Sequence, residues 1–208
     1  GSGKSTLVNL IPRFFDVTGG QVLVDGVDVR RMPQRQLRDK IGFVPQKALL
    51  FRGTIRENIA YGKPDATDLE ILEAAQTAQA LDFIQQKPGG LEAPVAQLGQ
   101  NFSGGQKQRL SIARALVRKP EIYIFDDSFS ALDAKTDAAL RAALKRTTQD
   151  ATVLIVAQKV STILDADRII VLAGGGGVGM GTHRELLQSC PVYQEIVYSQ
   201  MPAEEVGA

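Results

Sequence analysis

The sequence predicts an α/β layer sandwich built on a parallel sheet and interrupted by a mostly helical insert around residues 54–117. Three observations predict it. Strand-length apolar runs alternate with segments of helical period, and the glycine-rich stretches Gly1–Gly3 and Ser103–Gly105 each head a helical pattern. The apolar run Ile122–Phe125 ends in two carboxylates, Asp126 and Asp127. The 208 residues carry 24 basic and 23 acidic side chains, so no overall field marks a nucleic-acid or membrane-surface binder. A hydrophobic share of 44% suits a chain with a packed core. Cys190 is alone, which excludes an internal disulfide framework and a cysteine metal cage. No apolar run approaches the ~20 residues that span a bilayer, and the opening residues do not read as a signal peptide. These features predict a soluble, cytoplasmic domain.

Element by element, Leu7, Leu10, Ile11, Phe14 and Phe15 recur at helical spacing after the first glycines. Gln21–Asp25 reads as a strand turning at Asp25-Gly26, and Ile41–Val44 as a strand ended by Pro45-Gln46. From Thr54 to about Gln86 the pattern is helical, with Ile55/Ile59 and Leu69/Leu72/Ala75, until Lys87–Gly90 breaks it. Leu110, Ile112, Ala113, Leu116 and Val117 mark a second long helix. Strands over Glu121–Phe125, Thr152–Val156 and Arg168–Leu172 follow, with helices over Lys135–Arg146, near Arg184–Leu187 and near Val192–Tyr198. The core is expected in 1–46 and 118–200 and the insert in 47–117. Residues 201–208 form a tail expected to fray from Pro202 to Ala208.

The opening Gly1-Ser2-Gly3-Lys4-Ser5-Thr6 matches the end of the phosphate-loop pattern G-x-x-x-x-G-K-[ST]. The pattern's first glycine, and the strand that precedes such a loop, fall before Gly1. The sequence is therefore expected to be cut inside its phosphate-binding loop. Glycines let successive backbone N–H groups close around phosphate oxygens. Lys4 would reach the terminal phosphates and the Ser5 hydroxyl would ligate Mg2+. Asp126, at the end of an apolar strand, would present its carboxylate to the same ion. Ser103-Gly104-Gly105-Gln106 sets bare backbone and a hydroxyl at a helix start, a second anion site.

Together Gly-Ser-Gly-Lys-Ser-Thr (1–6), Val-Pro-Gln (44–46), Phe-Ser-Gly-Gly-Gln (102–106), Phe-Asp-Asp (125–127) and Ser-Ala-Leu-Asp (130–133) resemble, in order and spacing, an ABC-type ATPase domain. The resemblance covers essentially the whole chain and implies a P-loop NTPase core with an inserted α-helical subdomain. It implies two such domains sandwiching two ATP molecules with Mg2+, each held by one subunit's P-loop and the other's Ser-Gly-Gly-Gln. Gln46 is then the Q-loop residue that links Mg2+ to the transported-substrate machinery, and Asp133 the acid at the dimer seam. The segment Phe43–Gly62 resembles the exporter type, which implies a transmembrane domain fused N-terminally and a place at the cytoplasmic face of the membrane. Nucleic acid is not an expected partner.

Two positions depart from the family pattern. Asp127 stands where active members carry Glu, the general base, and Gln158 where they carry the switch His. A side chain one methylene short misplaces the base, and a Gln amide can donate to phosphate but carries no proton charge. Both changes together resemble the weak half of a heterodimeric exporter, in which this subunit binds Mg-ATP tightly and hydrolyses it slowly. A fully active homodimeric exporter and a soluble ATP-driven clamp are the alternatives. Val95–Gly99 also lacks the acid-base pair usual for exporters. Elsewhere, Gly174–Gly179 reads as a hairpin turn in place of a dinucleotide loop. His183 reads as a first-turn helix residue and Cys190 as a packing residue. Arg30-Arg31 and Lys107/Arg109 read as solvated helix or loop charges, with a signature-helix charge near phosphate as the alternative.

Overall fold

The computed structural model describes residues 2–201; Gly1 and the expected frayed tail, Pro202–Ala208, lie outside the described residues. The chain opens with α1 (Lys4–Asn9), the hairpin β1 (Leu23–Val24) and β2 (Val27–Asp28), then α2 (Gln34–Asp39) and β3 (Ile41–Val44). The insert follows as β4 (Gly53–Thr54), α3 (Ile55–Ile59), α4 (Asp68–Thr77), α5 (Leu81–Gln86), β5 (Pro94–Val95) and α6 (Gly104–Leu116). The chain then forms β6 (Ile122–Asp126), α7 (Ala134–Thr147), β7 (Thr152–Val156), β8 (Ile169–Ala173), β9 (Gly176–Gly181), α8 (His183–Ser189) and α9 (Pro191–Gln200).

The sheet order β3-β6-β7 is parallel throughout, with Val44 beside Phe125 and Phe125 beside Ile155. A strand flanked by neighbours on both edges and buried on both faces reads as a near-continuous apolar run, and β6 does from Ile122 to Phe125, with Asp126 at its end. Tyr123 and Phe125 face the cluster that contains Leu110, Ile112 and Leu140. Ile124 faces the opposite cluster, with Val8, Leu37, Ile41 and Val156. Ile124 and Phe125 are wholly buried, each burial contributing about 1.5–3 kcal/mol. A third cluster joins Val160, Ile169 and Val171 to Leu186, Tyr193 and Val197 of the last two helices.

Helix starts are chemically marked. Thr54, Thr67, Ser103 and Thr182 each accept a hydrogen bond from a backbone N–H three residues on, where Glu57, Glu70, Gln106 and Glu185 return the bond. Asp133 caps α7 alone.

Several expected elements change form. The helix expected to run to Phe15 ends at Asn9, with Arg13 in the left-handed region at φ 56°. Phe14 is then free to pack edge-on against Phe43, 5.2 Å away. The single helical stretch from 54 to 86 is three helices, because Gly62, Pro64 and the left-handed Gln79 interrupt it. The strands near 21–25 and 168–172 stay outside the parallel sheet: each folds back on its successor as an antiparallel pair. Gly174 and Gly175 make the expected hairpin turn, but Gly176–Gly181 continue as strand. Cys190 is buried, as a packing residue should be, and His183 opens α8 while hydrogen-bonding Tyr193 Oη at 2.8 Å. Among the described residues no helix is long and apolar enough to cross a membrane.

Candidate functional site

Parallel strands all end at the same edge of their sheet, so the loops after β3, β6 and β7 must meet there. Gln46 follows β3 by two residues, Asp127 follows β6 directly, and Gln158 follows β7 by two. Their side chains converge on one atom. Gln46 Nε2 donates to Asp127 Oδ2 at 2.9 Å and Gln158 Nε2 donates to the same oxygen at 2.7 Å. Among the described residues Oδ1 of Asp127 receives no hydrogen bond. Asp127 is buried and left-handed at φ 47°, a backbone state that Asp tolerates better than most residues. Its N–H donates to the Val156 carbonyl at 3.0 Å and its carbonyl accepts from Ser130 Oγ at 3.0 Å, which together hold that turn.

The neighbouring carboxylate meets the first loop. Ser5 Oγ donates to Asp126 Oδ1 at 2.8 Å, joining residues 121 positions apart. Lys4 at the start of α1 donates to Ser2 Oγ at 3.1 Å. Gly3 caps the helix at φ 87°, a conformation that would strain any side chain there. Thr6, the next residue along α1, is exposed.

At the start of α6, Ser103 and Gly104 are exposed and Gly105 and Gln106 half-buried, close to the 130–133 segment that ends in the exposed Asp133. Ser103 Oγ accepts from the Gln106 N–H at 3.2 Å, and Gln106 Oε1 accepts from the Ser103 N–H at 3.1 Å. Gly105 approaches the 130–133 segment so closely that a Cβ there would sit 3.2 Å from the Ala131 carbonyl oxygen. Asp133 accepts from the Thr136 N–H and hydroxyl at 2.9 and 2.7 Å. Those bonds hold its carboxyl below the usual carboxylate range. The expectation that Arg109 is merely solvated is corrected: it donates to the Gln79 carbonyl at 2.7 Å and lies over the Phe83 ring. Burial lowers its guanidinium pKa while the charge of Asp133 pulls the other way.

The structure thus sorts the sequence-derived residues into two groups. Ser5 with Asp126, and Gln46 with Asp127 and Gln158, are hydrogen-bonded pairs and triples at one sheet edge, with Lys4 beside them. Ser103–Gln106 lie by the segment that leads to Asp133 and share no side-chain hydrogen bond with the first group among the described residues. Gly1 lies outside the described residues. One residue at the first group had no motif to announce it: Gln200, which donates to the Gln158 carbonyl at 2.9 Å. Ser130 stands in the Ser-Ala-Leu-Asp motif, but its bond to the Asp127 carbonyl was not read from the sequence.

A lysine and serine heading a helix beside paired strand-end carboxylates, on this sheet order, define a P-loop nucleoside triphosphatase. The family model described as ABC transporter matches residues 1–130. An uncharacterised ABC transporter ATP-binding protein of Mycobacterium bovis is 51% identical over 100% of this chain and 36% of its own length. A Staphylococcus aureus protein with the provisional description multidrug export ATP-binding/permease protein is 48% identical over 94% of this chain and 34% of its own. The solved structure of a bacterial Atm1-family ABC exporter with ATP bound matches with a TM-score of 0.94 and 39% identity, over 97% of this chain and 35% of that one. This chain belongs to the ABC transporter family, as one of its ATP-hydrolysing, ATP-binding domains. It spans about a third of the length of the relatives it matches.

Proposed function

We propose that this chain is the ATPase part of an exporter whose transmembrane domain lies in the same polypeptide, N-terminal to it. It would work at the cytoplasmic face of a membrane, with 1–46 and 118–200 as the core and 47–117 as the inserted subdomain. The names of its curated relatives support that reading. ATP is the substrate, its phosphates taken by the loop of residues 1–6 and by Lys4.

Magnesium fits the residues present. Ser5 Oγ and Asp126 Oδ1 are brought together by a hydrogen bond, and both are hard oxygen atoms of the kind this ion takes as ligands. Those two, with Gln46, would hold the ion, which when bound neutralises charge on the phosphates.

Asp127 is the proton acceptor for the attacking water, through Oδ1. The Oδ2 oxygen is occupied by Gln46 and Gln158, which aim the carboxylate and leave one oxygen for the proton. The stem of Asp127 is one methylene shorter than that of the Glu the family pattern places there, which sets the carboxylate back from the water. The observation that carries the proposal is this shared oxygen on an aspartate at the position of a general base. From it we infer a site that grips Mg-ATP and cuts it slowly, completed by a second ABC ATPase domain of a different subunit. Ser103–Gln106 and Asp133 would close the partner's nucleotide site.

The test is to assay the full-length protein alone and with the candidate partner subunit. Tight Mg-ATP binding with little turnover alone, and brisk turnover only in the mixed complex, is the expected result. Full-speed hydrolysis by the protein paired only with its own copy would sink the two-unlike-halves reading.

A further inference from the structure

We propose that Gln200, the last residue of α9, is a positioning residue that holds Gln158 onto Asp127 by clamping the backbone of the turn after β7. Its side-chain amide makes two bonds. Oε1 accepts from the Val160 N–H at 2.9 Å, and Nε2 donates to the Gln158 carbonyl at 2.9 Å. Lys159, between those two groups, is extended at φ −89° and ψ 126°. A residue in a parallel ladder bonds in this way to the carbonyl before and the N–H after its neighbour. The Gln200 side chain therefore acts as a one-residue strand laid along Lys159.

The turn needs such a clamp. A pocket of about 110 Å3 is lined by Asp127, Phe129 and Ser130 and by Gln158 and Lys159, so much of the turn's Asp127 side faces open space that the Gln158–Asp127 hydrogen bond spans. Gln158 and Lys159 are themselves exposed. On the far side Val160 is buried against the cluster that includes Tyr193 and Val197 of α9. Val160 fixes where the turn is rooted. The Gln200 amide fixes the peptide planes on either side of Lys159, and with them the direction in which the Gln158 side chain leaves. That direction decides whether Nε2 reaches Asp127 Oδ2 at 2.7 Å. The position of the C-terminal helix is in this way read out at the carboxylate. Gln suits the place because it alone offers both a donor and an acceptor at that length: Glu lacks the donor and Leu lacks both.

The inference rests on Gln158 belonging to the hydrolytic site, and two measurements keep the two ideas apart. In the full-length protein, Gln200→Leu should speed amide exchange in residues 158–162 by about tenfold, the equivalent of one to two modest hydrogen bonds. Exchange in 191–197 should stay unchanged. Unaltered exchange at 158–162, or a rise spread evenly through α9, overturns the clamp. Turnover of Gln158→Ala/Gln200→Leu should equal that of Gln158→Ala alone, because Gln200 acts only through Gln158. A further loss on adding Gln200→Leu overturns the positioning role. Should the wild-type protein hydrolyse no ATP with or without a partner, the proposed function fails, while the exchange result still decides whether Gln200 holds the turn.

Discussion

At the scale of single residues, the site is governed by which atoms are already engaged. Asp127 offers one oxygen to two amides and, among the described residues, keeps the other clear. Asp127→Glu adds the missing methylene and should raise turnover at this site about tenfold or more, since a base misplaced by about 1 Å costs up to ~100-fold. Single-turnover hydrolysis, with the partner's site disabled, reads the change; no gain would mean that length is not what limits this base. Among the described residues Lys4 has no acidic partner and donates only to Ser2, so its charge is available to phosphate. Lys4→Ala should weaken Mg-ATP binding about tenfold or more, the loss of one charged hydrogen bond, measured by calorimetric titration. The types of these residues were legible in the sequence because their spacing is chemically constrained. Their sharing of a single oxygen was not, since it depends on three loops separated by up to 112 residues between Gln46 and Gln158.

At the scale of elements, strands bounded by turn residues were legible to the residue: Ile41–Val44 and Thr152–Val156 stand as read. Pro45 ends the first, and β-branched runs have few other uses. The two-residue strands β4 and β5 were not legible, because Gly53 pairs with Val95 across the whole insert and neither segment carries a local pattern. Nor was α2, whose polar sequence shows only Leu37 to the core. Helix starts lend themselves to a pH test. Glu70 closes the capping box of α4 and pairs with Lys63, and the Lys63 ammonium together with the Thr67 N–H holds its carboxyl down at about 2, from an ordinary 4.5. A lowered folded-state pKa stabilises above the unfolded value and is lost as pH falls through the folded one. The gap in Tm between wild type and Glu70→Gln should therefore be full above pH 4.5 and close progressively towards pH 2. A gap that widened on acidification would contradict the assignment.

At the scale of the whole molecule, one strand separates the two largest apolar clusters. Phe125, wholly buried, reaches from β6 into the cluster shared by the insert and the sheet, against Tyr123 and Phe129. Phe125→Ala should cost about 3–5 kcal/mol in urea unfolding. Leu110→Ala on α6, in the same cluster, should cost about 2–5 kcal/mol. A loss far below these figures would mean that the insert and the sheet do not share one core.

The parallel register has a consequence for how this molecule can vary. Gln46, Asp127 and Gln158 hang like teeth of a comb from strands aligned Val44, Phe125, Ile155. Exchanging one tooth for another residue changes the bite but leaves the comb whole. Deleting a single position within any of the three strands slides its tooth by about 3.3 Å and turns its root to the opposite side of the sheet. Substitutions should therefore accumulate at these positions, and changes of length should not.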